Sequence, residues 1–184
     1  MKTIDQYIKI YKQVFTKPQC ELIVNKSQSN KWEKHSWTTS SYGTTQINDL
    51  NKELLVSYLE DPLMKLMIIP KIQEIVQLYT KEFNYVANNI SFPRINKYEK
   101  GNEMLEHIDH ISSLFQGEKP GYPSTSIILL LNDEFKGGDL IFWEDHRPKL
   151  EFGDLIIWPS NFMYRHRVSR ITDGVRYSLV AWAW

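Results

Sequence analysis

The sequence predicts an α+β fold, a β-sandwich or jelly roll backed by helices. Three observations lead there. Apolar residues recur at helical spacing before about residue 85 and in short extended segments after it. Turn signals such as Gly137-Gly138, Phe152-Gly153 and Asp173-Gly174 separate those segments. Finally, 42% of the 184 residues are apolar and 13% aromatic, enough for one core, and no glycine- or proline-rich linker divides the chain. The expected organisation is a single domain over 1–184, with a helical support region over 1–85 and a β core over 86–184.

The elements follow in order. Pro18 opens a helix through Cys20, Leu22, Ile23 and Val24, with Cys20 a small buried residue. A second helix is expected over 48–59. Asp61-Pro62 reads as an N-cap followed by proline at the first helical position. Leu63, Leu66, Met67, Ile72, Ile75, Val76 and Tyr79 continue at helical spacing, and Pro70 is expected to kink or divide that helix. Strands are expected over 90–98, 104–109, 125–131, 139–143, 154–158, 166–170 and 176–184.

Charge and length exclude several classes. Lys plus Arg number 22 and Asp plus Glu number 22, so no net charge drives the chain toward nucleic acid or an anionic membrane. Apolar runs such as 127–131 fall far short of the ~20 residues a membrane helix needs. Charges interrupt the first residues, MKTIDQYIKIYKQ, where a signal peptide carries its apolar stretch. The expectation is an intracellular, cytoplasmic protein. Its single cysteine, Cys20, excludes an internal disulfide framework and a cysteine-rich zinc site.

The chemistry centres on His107 and Asp109 in LEHIDH. Two residues apart on a strand, their side chains share one face. With a second histidine from a distant strand they would form a 2-His-1-carboxylate set, the arrangement that suits non-haem Fe(II) because three positions stay open. Alone, the pair is also what a solvated strand carries. Of the other histidines, His110 is expected on the opposite face, His146 at an exposed hairpin tip, and His35 in an irregular stretch with no partner assigned.

The surrounding motifs are more specific. Tyr98 and Gly101 stand nine and six residues before His107. Downstream come Phe135, Gly137, Gly138, Asp139 and Leu140, then Gly153, Asp154, Trp158, Pro159 and Ser160. His166 is followed by Gly174 at +8, Arg176 at +10, Ser178 at +12 and Trp182 at +16, within GVRYSLVAW. In this ordered set, residues 90–184 resemble the Fe(II)/2-oxoglutarate-dependent oxygenases, specifically the prolyl 4-hydroxylase-like branch. The resemblance implies a double-stranded β-helix (jelly roll) with the N-terminal helices packed on one sheet. It implies Fe(II) held by His107, Asp109 and His166, with 2-oxoglutarate and dioxygen as cosubstrates and ascorbate as reductant. Arg176 would take the distal carboxylate of 2-oxoglutarate, since a guanidinium binds carboxylate bidentately. Tyr98 and Ser178 would hydrogen-bond the same molecule. Trp182, and Tyr122 within the 111–124 segment, would lie near a substrate whose family default is a prolyl residue in a peptide or protein.

Two departures bear on the substrate. The strand SIILLLND lacks the tyrosine that some prolyl hydroxylases place there, and KPGYPST lacks the arginine that several relatives use near the peptide. Other readings stay open beside the hydroxylase. Tyr164, Arg165, Arg167 and Arg170 surround His166, as a nucleic-acid surface would. The nucleic-acid demethylases of the superfamily share Asn96, Tyr98, Gly101, His107 and Asp109, and two arginines six apart, as Arg170 and Arg176 are. Zero net charge and the GVRYSL ending argue against that branch. A non-catalytic jelly-roll binding module, or a metalloprotein using another divalent ion without 2-oxoglutarate, completes the set. The first 85 residues carry no functional signal, and the sequence does not disclose the oligomeric state.

Overall fold

The computed structural model describes residues 3–35, 54–110 and 121–184, with the backbone of two short pieces, 37–38 and 45–46. A 3-10 turn, Ile4–Tyr7, precedes β1 (Lys9–Tyr11) and α1 (Lys17–Ser27). The Gln19 side chain accepts the Thr16 backbone N–H at 3.0 Å, and Pro18 occupies the first turn of α1. Then come β2 (Glu33–Lys34), β3 (Trp37–Thr38), β4 (Thr45–Gln46), β5 (Leu55–Tyr58) and α2 (Pro62–Phe83). The rest is β: β6 (Arg94–Tyr98), β7 (Met104–His107), β8 (Thr125–Leu130), β9 (Phe135–Gly137) and β10 (Leu140–Phe142). It closes with β11 (Leu155–Pro159), β12 (His166–Val168), β13 (Ile171–Gly174) and β14 (Arg176–Ala183).

A seven-stranded antiparallel sheet has the order β1-β11-β8-β14-β6-β5-β2, and a three-stranded sheet the order β10-β12-β7. Period-two alternation divides the large sheet. Ile128, Ile156, Trp158 and Val180 face inward and pack with Met104, Leu140, Phe142 and Val168 of the small sheet. Ile95, Ile127, Leu129, Ile157 and Leu179 face outward, where Cys20, Ile23, Ile68 and Ile72 of the two helices cover them. The expected jelly roll with helices on one sheet is what the chain forms.

Four local expectations are corrected. Residues 55–58 of the expected 48–59 helix form strand β5, while 48–53 lie outside the described residues. The short apolar run suits either state, and pairing with β6, Val56 opposite Asn96, decides for the strand. Pro70 does not divide α2, which runs as one helix from Pro62 to Phe83. That proline lies on the exposed side, where solvent can serve the carbonyl that its missing N–H leaves free. The buried stripe of α2 is Met64, Ile68, Ile72, Ile75, Val76 and Tyr79, whereas Leu63 and Leu66 are exposed. The expected 166–170 strand is β12, which ends at Val168, and β13 follows to pair with β9. Asp61 caps α2 as expected, accepting the Leu63 N–H at 2.8 Å.

Asp154 ties the N-terminal strand to the core. Its fully buried carboxylate accepts Lys12 Nζ at 2.7 Å, the Gln13 N–H at 3.0 Å and the Glu151 N–H at 2.9 Å. This anchors the chain beside β1 at the edge next to β11.

Candidate active site

β7 and β12 pair so that His107 stands directly opposite His166, with ring centroids 4.2 Å apart. β7 ends at His107, and a bend returns the Asp109 carboxylate toward both rings. Asp109 Oδ1 lies 3.6 Å from His107 Nε2 and Oδ2 lies 3.7 Å from His166 Nε2. One donor atom from each residue falls within 4.8 Å of the other two, the only such histidine–carboxylate group among the described residues.

Neighbouring groups aim these donors. Nδ1 of His107 is bonded to the Leu105 carbonyl at 2.8 Å, and Nδ1 of His166 to the Tyr164 carbonyl at 3.0 Å. A carbonyl accepts only from N–H, so Nδ1 carries the proton and Nε2 keeps its lone pair toward the group. Asp109 accepts the Ser126 hydroxyl at 2.6 Å, and Ser126 is bonded to Ser160 at 2.7 Å. Burial alone would raise the Asp109 pKa. The histidines, the Ser126 hydroxyl and the Trp182 indole outweigh it and hold the carboxyl below its ordinary value. Burial, then the neighbouring His166, pushes His107 down to about 4, so its imidazole is neutral at physiological pH. A neutral imidazole and a carboxylate are what a divalent cation needs from its ligands. Trp158 and Phe142 pack on His166, at 5.0 and 5.6 Å between ring centres.

Arg176, on β14, is 1% exposed. Its Nη1 donates to Ser178 Oγ at 3.0 Å, and its guanidinium lies 5.1 Å from the Tyr98 ring centre. No carboxylate among the described residues forms an ion pair with it. Arg176 lines a cavity of about 400 Å³ with Leu130, Phe135 and Leu140. The triad faces a different, narrower cavity whose walls include Arg94, Asn96, Tyr98, Trp158 and Trp182. Tyr98 belongs to that wall and presents its ring to Arg176, so it stands between the two. Its hydroxyl donates to the Met104 sulfur at 3.7 Å, a weak acceptor.

The sequence model of the 2OG-Fe(II) oxygenase superfamily matches residues 93–184. The chain belongs to this superfamily. A PKHD-type hydroxylase of Aliarcobacter butzleri is 33% identical over 105 residues, covering 54% of this chain and 45% of its own. Another from Rippkaea orientalis is 37% identical over 92 residues, covering 47% and 40%. The alignments thus span about half the length of these curated relatives. Among solved structures, a Pseudomonas putida prolyl-4-hydroxylase superposes with TM-score 0.69 at 11% identity, over 96% of this chain and 91% of that one. A Trichoplax adhaerens prolyl hydroxylase, in complex with a hypoxia inducible factor peptide fragment, gives 0.70 at 14% identity, over 97% and 83%. At such identities these two share the fold.

The superfamily's metal and cosubstrate are Fe(II) and 2-oxoglutarate, and the donor set here fits both. The triad offers two nitrogens and one carboxylate, and buried polar atoms of its cavity, Arg94 Nε, Asn96 Oδ1 and Trp158 Nε1, have no protein partner. Arg176 adds a buried cation that is ion-paired to no carboxylate among the described residues, although Asp139 lies within electrostatic reach. Trp182 lines the triad's cavity. Tyr122 does not; it is 55% exposed, with its ring 5.2 Å from that of His110, and residues 111–120 lie outside the described set. His146 is exposed and bridges to Phe142.

Two of the three arginines around His166 are ion-paired. Arg165 faces Glu106 at 3.4 Å and Arg170 faces Glu103 at 2.9 Å, while Tyr164 is buried and donates its hydroxyl to the Ile4 carbonyl. The buried Tyr164 therefore offers no ring for a base to stack on.

Ser126 on Asp109, His35 and Arg94 carry no functional role in the sequence reading yet stand at the site. His35 is buried and lies within electrostatic reach of His107 and Asp109; nothing local in KWEKHSW signals this. Arg94 lines the triad's cavity, and its signal is the alternation of PRINKY, which puts Arg94, Asn96 and Tyr98 on one face.

Proposed function

We propose that this chain is an Fe(II)- and 2-oxoglutarate-dependent dioxygenase that hydroxylates an unactivated C–H bond, its substrate a prolyl residue in a peptide or protein. The observation that carries this reading is the convergence of His107, Asp109 and His166 in one buried, neighbour-oriented group. Three protein donors leave coordination positions for a chelating cosubstrate and dioxygen. Bound Fe(II) with 2-oxoglutarate supplies the oxidising power, coupling decarboxylation of the cosubstrate to hydroxylation of the substrate.

The chain's residues do the positioning. His107 and His166 present Nε2 because backbone carbonyls hold the Nδ1 protons. Ser126 keeps the Asp109 carboxylate aimed, and Trp158 and Phe142 shield His166 from water. Arg176 binds the distal carboxylate of 2-oxoglutarate, with Ser178 holding the guanidinium and Tyr98 turning its hydroxyl from the Met104 sulfur to the cosubstrate. Trp182 contacts the substrate from the cavity wall, Tyr122 contacts it outside that cavity, and ascorbate serves as reductant. The prolyl assignment is supported by the PKHD-type relatives and the prolyl hydroxylase folds.

Anaerobic titration of the apo-protein with Fe(II) and 2-oxoglutarate tests the reading through the weak visible charge-transfer band of the chelate. The band is expected only with both ligands present, and not in His166→Ala. Folded wild-type protein without a band would leave a non-catalytic jelly-roll module as the better description.

A further inference from the structure

Arg94 lies on the wall of the triad's cavity and has no task in the proposed chemistry. Strand alternation places Arg94, Asn96 and Tyr98 on one face, opposite Val180, Ser178 and Arg176 of β14. Arg94 and Arg176 are therefore ~13 Å apart along the strand, four residues at about 3.3 Å each. A dicarboxylate held by Arg176 would engage the Tyr98 end of this row, and Arg94 stands at the other end. The Arg94 guanidinium sits 5.0 Å from the Trp182 ring centre, its Nε is sealed from solvent without a hydrogen-bond partner, and no carboxylate among the described residues pairs with it. Directly across on β5, Tyr58 offers a 57% exposed ring in the same row. A buried donor left unmade is costly, and a guanidinium is suited to a carboxylate.

We propose that Arg94 sets the substrate class of this site by binding a carboxylate carried by the substrate next to the carbon that is oxidised. The inference rests on the triad being the active site and adds an acidic requirement to it. The carboxylate has two sources, an acidic side chain or a free peptide C-terminus, and separate probes distinguish them.

Fluorescently labelled peptides with one proline each are bound to the anaerobic Fe(II)- and 2-oxoglutarate-loaded protein and followed by anisotropy. Three C-terminally amidated peptides carry Glu, Gln or Lys beside the proline; a fourth keeps Gln and ends in proline with a free carboxylate. The Glu peptide, or the free-carboxylate peptide if the anion is the chain end, is expected to bind roughly tenfold tighter than the amidated Gln peptide. Arg94→Gln should level the series and Arg94→Glu should invert it toward Lys, with the 2-oxoglutarate Kd of Arg94→Gln the same as wild type. Equal binding of all four peptides by wild type overturns the proposal, as does a carboxylate preference that survives Arg94→Gln. Weakened 2-oxoglutarate binding in Arg94→Gln also overturns it and makes Arg94 a cosubstrate ligand. Repeating the series with alanine for proline separates the two readings. Carboxylate preference without a proline-to-alanine difference defeats the prolyl assignment alone; the reverse defeats the Arg94 assignment alone.

Discussion

Arg176 is buried with no carboxylate partner among the described residues, and burial pulls its pKa down. Such a residue costs the fold stability and contributes only when an anion arrives. Arg176→Leu should therefore keep or raise the melting temperature, because Leu130, Phe135 and Leu140 already line that cavity. The same variant should weaken 2-oxoglutarate binding by about 10- to 100-fold, the range expected for a charge-assisted hydrogen bond. Thermal melts and calorimetric titration measure the two effects, and a purely structural arginine would give the opposite pattern. Ser126 acts through Asp109. Removing its 2.6 Å bond with Ser126→Ala should lower Fe(II) affinity about 10- to 100-fold, read by competition with a chelator.

Where strands meet, single backbone positions control the site. Gly138 has φ +70°, and a Cβ there would lie 2.8 Å from Arg176 Cδ and 2.6 Å from Ile171 Cδ1. Gly138→Ala should displace Arg176 and weaken 2-oxoglutarate binding while Fe(II) affinity stays near wild type, because no triad residue touches that turn. Equal losses of both affinities would mean that the whole β core had shifted. The β7–β12 pair has a different role. Its register alone brings His107 and His166 together across 59 residues of sequence, so the metal group is as rigid as that ladder.

Across the molecule, buried imidazoles couple stability to acid. Burial first, then Arg94, pushes His35 down to about 3 from an ordinary 6.5, and His107 is held at about 4. Between those values and 6.5 the unfolded chain binds protons that the folded chain refuses, so stability falls as pH drops through that window. The slope is at most about 1.4 kcal/mol per pH unit for each imidazole. Urea unfolding at steps from pH 7.5 to pH 4.5 should show a falling midpoint, and His35→Gln should flatten it. A midpoint independent of pH would mean that His35 is hydrated in the native state.

Legible in the sequence were the apolar alternation of the core strands, the Asp61 cap of α2 and the ordered motifs around His107, Asp109, His166 and Arg176. Those features are local, since a period of two, a cap or a tight turn is written in adjacent residues. Tertiary structure decided what depends on distant neighbours. Residues 55–58 became a strand because β6 presented an edge to pair with, and Pro70 was tolerated because its side of α2 is exposed. His35 acquired a shifted pKa, and Arg94 came to line the metal cavity with its Nε unpartnered, only when the sheets closed over them. Burial and the loss of water are properties of the packed whole, and short-range sequence patterns do not encode them.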